Sequence, residues 1–230
     1  MLYVVATPIG NLDDITRRAA GIFAEADALA CEDTRRTRRL LSHLGIGRPD
    51  IMISYREGTE TRAGSGLLKL LEQGKTVVLC SDGGYPGISD PGYRIIVSAA
   101  ERNIPVEVIP GASAVPVALL LSGLPSSSYT FKGYPPRKKG AMLRFFESDK
   151  DLPHTMIVFE SPLRVVKSLE SAQESLGNRR AAVCIEMTKK FERVSRGFLD
   201  ELINEFRDRR IRGEVTIVLA GNNPKFAKSS

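Results

Sequence analysis

The sequence predicts an α/β protein of two domains, a mostly parallel sheet in the first and a mixed sheet in the second. Three observations predict it. The 230 residues exceed the ~150 of an average domain and allow one large or two small units. Short β-branched runs alternate with helical periodicity over the first half, the pattern of strands joined by crossover helices. The stretch Ser122-Gly-Leu-Pro-Ser-Ser-Ser128 clusters turn-forming residues between two periodic segments and reads as a linker. The domain boundary is therefore expected between 121 and 122, giving domains 1–121 and 122–230.

In the first domain, Leu2 to Ala6, Ala28 to Cys31, Ile51 to Tyr55, Thr76 to Cys80 and Val106 to Ile109 read as strands. Between them, Asp14 is expected to cap a helix running to Ala26. The segments Asp33 to His43, Glu60 to Gln73 and Tyr93 to Arg102 carry apolar residues at i, i+3 and i+4 spacing. A further helix starts near Ser113. Beyond the linker, strands are expected at Tyr129 to Lys132, Thr155 to Glu160, Ala181 to Met187, Phe191 to Arg196 and Glu214 to Ala220. Helices are expected near Arg137 to Phe146, Leu163 to Ser175 and Leu199 to Arg209. The Ala181 to Arg196 stretch reads as an antiparallel pair turning at Thr188-Lys189-Lys190, which makes the second sheet mixed.

Composition narrows the class. A hydrophobic share of 42% with 26% charged residues is ordinary for a folded soluble chain. The longest apolar stretch, Val115 to Leu121, is far shorter than the ~18 residues of a membrane span, so a cytoplasmic protein without a membrane partner is expected. The three cysteines, Cys31, Cys80 and Cys184, form no CxxC and have only His43 and His154 for company, which argues against a disulfide framework or a bound metal. A net charge of +6 suits a polyanionic partner. From Arg179 to Ser230, twelve Lys/Arg stand against seven Asp/Glu, and Arg35, Arg36, Arg38, Arg39 and Arg137, Lys138, Lys139 form two local clusters. They are either solvated faces or a discontinuous track for RNA phosphates, whose binding would weaken steeply with salt.

Three loops follow strands and carry residues chosen for backbone shape or polarity. They are Thr7-Pro-Ile-Gly-Asn11, Ser81-Asp-Gly-Gly-Tyr-Pro-Gly-Ile-Ser-Asp-Pro-Gly92 and Pro110-Gly-Ala-Ser-Ala114. The carboxyl ends of parallel strands are where open α/β sheets bind ligands. In the second loop, Gly83 and Gly84 lack a Cβ and expose carbonyls, and Asp82 adds a carboxylate, a combination suited to a cationic, amine-bearing ligand. Familiar nucleotide motifs fail: Gly74-Lys75-Thr76 precedes its strand instead of following it, and Gly64-Ser65-Gly66 lies inside a helical pattern. Neither histidine lies beside a plausible nucleophile.

In order along the chain, these loops resemble those of the tetrapyrrole methylase superfamily. Its members are class III S-adenosylmethionine methyltransferases with two α/β domains and the cofactor in the interdomain cleft. Eight blocks carry the resemblance: Ala6-Thr-Pro-Ile-Gly-Asn-Leu-Asp-Asp-Ile15, Glu32-Asp-Thr-Arg35, Ser81 to Tyr93, Pro110 to Ala114, Ser122-Gly-Leu-Pro125, Glu160-Ser-Pro-Leu-Arg164, Glu186-Met-Thr-Lys189 and Gly213-Glu214. They point to the branch acting on small-subunit ribosomal RNA. The chain departs from that branch at Gly83-Gly84-Tyr85, where Ala-Gly-Thr is usual, and at Arg56, near a usual His.

The resemblance implies transfer of a methyl group from S-adenosylmethionine to the ribose 2′-oxygen of a cytidine in the decoding region of 16S ribosomal RNA. The partner would be that RNA or the small ribosomal subunit, and the protein a homodimer without a metal. Pro8, Asp82, Gly83, Gly84 and Tyr85 are expected near the methionine and ribose parts of the cofactor, and Ser113 and Ala114 beside its amino-acid end. Glu160 and Met187 are expected to approach from the second domain. Asn11, Glu32, Arg35 and Arg164 are expected to touch substrate, Arg164 either gripping RNA or pairing with Glu160. Lys189, Glu186 and Asp33 are the expected catalytic groups, as base or as the cation that stabilises a forming alkoxide, worth typically 10²- to 10⁴-fold. Two alternatives stand beside this reading: a methyltransferase of the same fold acting on a tetrapyrrole or another small acceptor, and a non-catalytic, ribosome-associated module that binds S-adenosylmethionine.

Overall fold

The computed structural model describes residues 1–228, which form two compact units, Met1–Ser113 and a second beginning at Ala114. In the first, β1 (Leu2–Val5), β2 (Ala28–Cys31), β3 (Ile51–Ser54), β4 (Val77–Cys80) and β5 (Val106–Ile109) form one sheet in the order β3-β2-β4-β1-β5. Every pairing is parallel. The connecting helices are α1 (Arg17–Ala24), α2 (Thr34–His43), α3 (Glu60–Glu72) and α4 (Tyr93–Glu101). Because β residues alternate faces, Val4, Ala30 and Leu79 pack with Leu67, Leu71 and Ile95 on one side. Val5, Leu29 and Val78 pack with Phe23, Leu40 and Leu41 on the other. Burial on both faces explains why these strands read as nearly continuous apolar runs.

The start of α1 differs from expectation. Asp14 belongs to a short 3₁₀ turn, Leu12–Asp14, capped by Asn11, and the cap of α1 is Thr16, whose hydroxyl accepts from the Ala19 N–H. Gly74, at φ +80°, forms the turn ahead of β4.

The second unit contains α5 (Ala114–Ser122), β6 (Tyr129–Phe131), α6 (Lys139–Glu147), β7 (Thr155–Glu160), α7 (Val165–Leu176), β8 (Arg180–Ile185), β9 (Arg193–Phe198), α8 (Leu199–Arg207) and β10 (Val215–Leu219). Its sheet runs β6-β7-β10-β8-β9. Within this sheet the described β6 and β7 pair in parallel, and the other pairings between described strands are antiparallel. Helices α6, α7 and α8 cover one face. On the other, Val115, Ala118 and Leu119 of α5 pack on Ile157, Ala182, Cys184 and Val218. Burying a side chain such as Leu119 stabilises by roughly 1.5–3 kcal/mol, so α5 belongs to this sheet. The units consequently divide ahead of α5 rather than after it, and residues 123–128 are a connection inside the second unit.

The β8–β9 connection is wider than the three-residue turn expected. It spans 186–192, and Phe191 is exposed. Cys31, Cys80 and Cys184 are free and buried. Among the described residues no helix is long and apolar enough to cross a membrane.

Candidate functional site

In the first unit the connections out of β2 and β4 diverge, β2 leading to β3 at one edge and β4 to β5 at the other. Such a switch point opens a crevice beyond the strand ends, and the main chain joins the loops that border it. Thr7 and Gly84 exchange two backbone hydrogen bonds, each 2.9 Å. The Thr7 hydroxyl donates to the Ser81 carbonyl at 3.1 Å. The Tyr85 hydroxyl accepts from the Gly111 N–H at 3.0 Å, tying the loop after β4 to the loop after β5. Gly84 sits at φ +83°, and a Cβ on Gly83 would stand 3.3 Å from the Pro8 carbonyl oxygen. Pro8 is buried beneath, Asn11 is exposed beyond it and Ser113 lies half-buried at the end of the third loop.

Carboxylates converge at the same edge. Asp82 accepts from the Asp33 N–H at 3.0 Å, and Arg36 Nε lies 3.5 Å from its other oxygen. Asp33 caps α2 through the Arg35 N–H at 2.8 Å and takes the Arg35 guanidinium at 3.2 and 2.8 Å. Those Arg35 hydrogen bonds hold the Asp33 carboxyl well below the usual carboxylate range. Burial, and then the Asp82 carboxylate, push the neighbouring Glu32 upward. Two adjacent acids are thus separated by environment, one firmly ionised and one reluctant.

The second unit builds its polar positions from paired charges. The Glu160 side chain, at the end of β7, is 0% exposed and lies 2.9 Å from Arg164 Nη2. It also accepts from the Ser161 N–H at 2.6 Å and from the Ser168 hydroxyl. A carboxylate so enclosed has no face left for a ligand. Arg164 turns inward too, donating to the Pro135 carbonyl at 2.6 Å. Of the two roles open to Arg164, the structure shows the pair with Glu160.

In the β8–β9 turn, Glu186 and Thr188 take φ +51° and +63° around the buried Met187. Lys189 Nζ lies 2.8 Å from Glu186 and 3.2 Å from Glu214. The Glu186 carboxylate also accepts from the Glu214 N–H at 2.9 Å, and a Cβ on Gly213 would fall within 2.2 Å of it. Burial alone would pull Lys189 down, but its bonds to Glu186 and Glu214 outweigh burial and hold it above the ordinary lysine value. Burial would raise Glu186, yet Lys189 and the Glu214 N–H bring it below the usual range.

The tetrapyrrole (corrin/porphyrin) methylase family profile matches residues 1–203. Ribosomal RNA small subunit methyltransferase I of Halalkalibacterium halodurans is 43% identical over 224 residues, 97% of this chain and 77% of that protein. Its counterpart in Thermotoga maritima is 39% identical over 220 residues, covering 96% and 98%. The chain belongs to the tetrapyrrole methylase family, in its ribosomal RNA small subunit methyltransferase I branch. A solved uroporphyrin-III C-methyltransferase from Thermus thermophilus, complexed with S-adenosylhomocysteine, shares the fold with a TM-score of 0.64, 21% identity and coverage of 94% and 96%.

Within this tetrapyrrole methylase, the expected residues fall into two groups. Pro8, Asn11, Glu32, Asp33, Asp82, Gly83, Gly84, Tyr85 and Ser113 lie on loops beyond the carboxyl ends of the first sheet's strands, and Arg35 in the first turn of α2 beside them. Ala114, Glu160, Arg164, Glu186, Met187 and Lys189 belong to the second unit. Ala114 and Met187 pack with the α5 cluster. Three participants escaped the sequence reading. Arg36 was visible only as one of four arginines; Glu60, which accepts from the Gly92 N–H at 3.2 Å, carried no local signal. Glu214 was visible only beside Gly213.

Proposed function

We propose that this chain transfers the methyl group of S-adenosylmethionine to the ribose 2′-oxygen of a cytidine in the decoding region of 16S ribosomal RNA. The observation that carries the reading is the cross-linked carboxyl edge of the parallel sheet, where glycine-shaped backbone stands beside Glu32, Asp33 and Asp82. The names of the relatives support RNA as acceptor, and the S-adenosylhomocysteine complex of the uroporphyrin enzyme supports the cofactor. S-adenosylmethionine supplies a methyl group on a cationic sulfonium, next to an amine and two ribose hydroxyls that call for carboxylates and carbonyls. The residues at this edge fit that demand: Asp82 is anionic, and Gly83 and Gly84 present carbonyls without a Cβ.

The protein's main task is alignment, which supplies up to ~7–11 kcal/mol of a barrier. Pro8, Gly83, Gly84, Tyr85 and Ser113 form the cofactor's side of this edge, and Asn11 and Arg35 face the acceptor. As the ribose oxygen bonds the methyl carbon, the carbon–sulfur bond would break, its electron pair staying on sulfur to leave S-adenosylhomocysteine, and the hydroxyl proton would pass to a base. Glu32, raised by burial and by Asp82, is a better proton acceptor than Asp33, whose arginine partner keeps it ionised. Lys189 remains an ammonium between two carboxylates. It serves as a cation for an RNA phosphate, with Glu186 as its anchor. Glu160 acts by positioning Arg164.

Removing the Asp82 carboxylate with Asp82→Ala is expected to weaken S-adenosylmethionine binding roughly tenfold or more, the value of a hydrogen bond to a charged group. Isothermal titration calorimetry reads this, and unchanged affinity would remove the loop from the cofactor site. Labelled methyl transfer to small subunits from cells lacking the gene, followed by nuclease digestion, is expected to yield 2′-O-methylcytidine. A different labelled nucleoside would move the acceptor atom. No incorporation with cofactor still bound would favour a small acceptor or a non-catalytic module.

A further inference from the structure

The loop leaving β6 carries features that the site above leaves unused. After β6 the chain runs Lys132-Gly-Tyr-Pro-Pro-Arg-Lys-Lys139. Tyr134 is 58% exposed, yet its ring is backed edge-on by Phe159, centroids 5.7 Å apart. Phe159 is in turn backed by Phe131 at 4.8 Å. The loop is held in shape by its own carbonyls. Gly133, at φ +64°, accepts from the Phe159 N–H at 3.0 Å, Pro135 accepts from Arg164 at 2.6 Å and Arg137 accepts from Lys167 at 3.4 Å.

Two prolines after this braced aromatic come Arg137 and Lys138, both exposed. Neither has an ion-pair partner among the described residues, whereas Lys139 is committed to Glu174 at 3.1 Å. The first turn of α6 holds no acidic residue, so the positive end of the helix adds to the same field. A preordered aromatic face beside two cations, with no acidic residue between them in sequence, matches the requirements of unpaired nucleotides. A base stacks on the ring while neighbouring phosphates meet the cations. A duplex keeps its base faces hidden and cannot use the ring.

We infer that the 133–138 loop is a docking platform for single-stranded RNA, with one base on Tyr134 and adjacent phosphates on Arg137 and Lys138. This rests on the reading of RNA as acceptor and adds to it where the strand is held.

The test uses the full chain, fluorescence anisotropy with a single-stranded pyrimidine oligoribonucleotide and with an RNA duplex, and methyl transfer to small subunits. Tyr134→Ala is expected to weaken single-strand binding roughly 5- to 150-fold, the range for one base–aromatic stack, while Tyr134→Phe retains it and duplex binding stays unchanged. Arg137→Gln with Lys138→Gln is expected to lower the salt slope by about 1.4, two single-strand phosphates at ~0.7 each. S-adenosylmethionine affinity should be the same in all variants. Unchanged single-strand affinity in Tyr134→Ala together with an unchanged slope in the double variant would overturn the platform. Weakened binding to whole subunits alone, with the oligonucleotide unaffected, would overturn it too and assign the loop to a ribosomal protein. If the variant effects appear but the intact protein methylates no RNA, the platform stands and the acceptor reading fails. If methylation proceeds and the variants behave as the parent does, only the platform fails.

Discussion

The two units place polar groups at the ends of their strands by opposite means. In the first, the main chain does the placing: Thr7 and Gly84 pair through backbone atoms, Tyr85 anchors to the Gly111 N–H, and the charged side chains stand on that frame. In the second, the side chains hold the frame. Glu160 gathers Arg164, Ser168 and the Ser161 N–H, and Glu186 joins Lys189 to Glu214. A backbone-built edge should tolerate polar exchanges and reject an added Cβ, whereas a charge-built one should tolerate small changes of shape and reject the loss of a partner.

The largest effect that would separate the two is Glu160→Ala, which leaves a half-buried guanidinium without its carboxylate. Breaking such a pair typically costs ~3–5 kcal/mol, read by denaturant unfolding, with Glu160→Gln milder because its amide oxygen still accepts from Ser161. A loss for Glu160→Ala below about 1 kcal/mol would mean that charge does not hold this unit. Next comes Gly92→Ala. Gly92 has φ +149°, and a Cβ there would lie 2.8 Å from the Gly87 nitrogen. A strained residue of this kind costs about 1–3 kcal/mol, and cofactor affinity should fall along with the melting temperature. Preserved affinity would detach the 81–92 loop from the first unit's backbone-built site.

Glu214→Gln is gentler, since that side chain is 68% exposed. Lys189 loses one of two carboxylates that raise it, so the alkaline limb of the methyl-transfer pH profile should move to lower pH with melting nearly unchanged. An unmoved limb would remove Lys189 from the charge-dependent step. The smallest effect is Glu32→Gln. A carboxyl raised above its ordinary 4.5 contributes stability that is present below that value and lost as pH rises through the raised one. The amide removes that loss, so the variant should melt slightly higher at pH 7, with the gain closing below about pH 4.5. Methyl transfer should fall in the same variant. A variant that melts lower at pH 7 would show that the ionised Glu32 is stabilised rather than strained.

Legibility in the sequence follows the same division. Strands β5 and β7 carry the expected limits, Val106–Ile109 and Thr155–Glu160, because β-branched runs between turn residues are a local signal. The loop at 81–92 was legible for the same reason, its glycines reporting backbone shape. Choices between equivalent local signals were not. Asp14 and Thr16 are both good caps, and the selection depends on Asn11 closing a 3₁₀ turn before α1. The linker-like 122–128 looks the same between units or within one, and an apolar helix such as α5 does not announce which sheet it covers. The Glu160–Arg164 spacing was visible, but its inward direction depends on the Pro135 carbonyl, 29 residues before Arg164, as well as on Ser168 further along α7.

The three thiols mark both regions without any engineering. Cys31 and Cys80 lie side by side across the β2–β4 pairing, and Cys184 lies in β8. Burial pushes all three thiols up, Cys184 to about 11. Since the thiolate is the reacting form, an alkylating reagent must wait for the surrounding sheet to open. The native chain therefore carries its own pair of timers, one per sheet, and a ligand that grips only the edge of the first would slow one of them while the other keeps running.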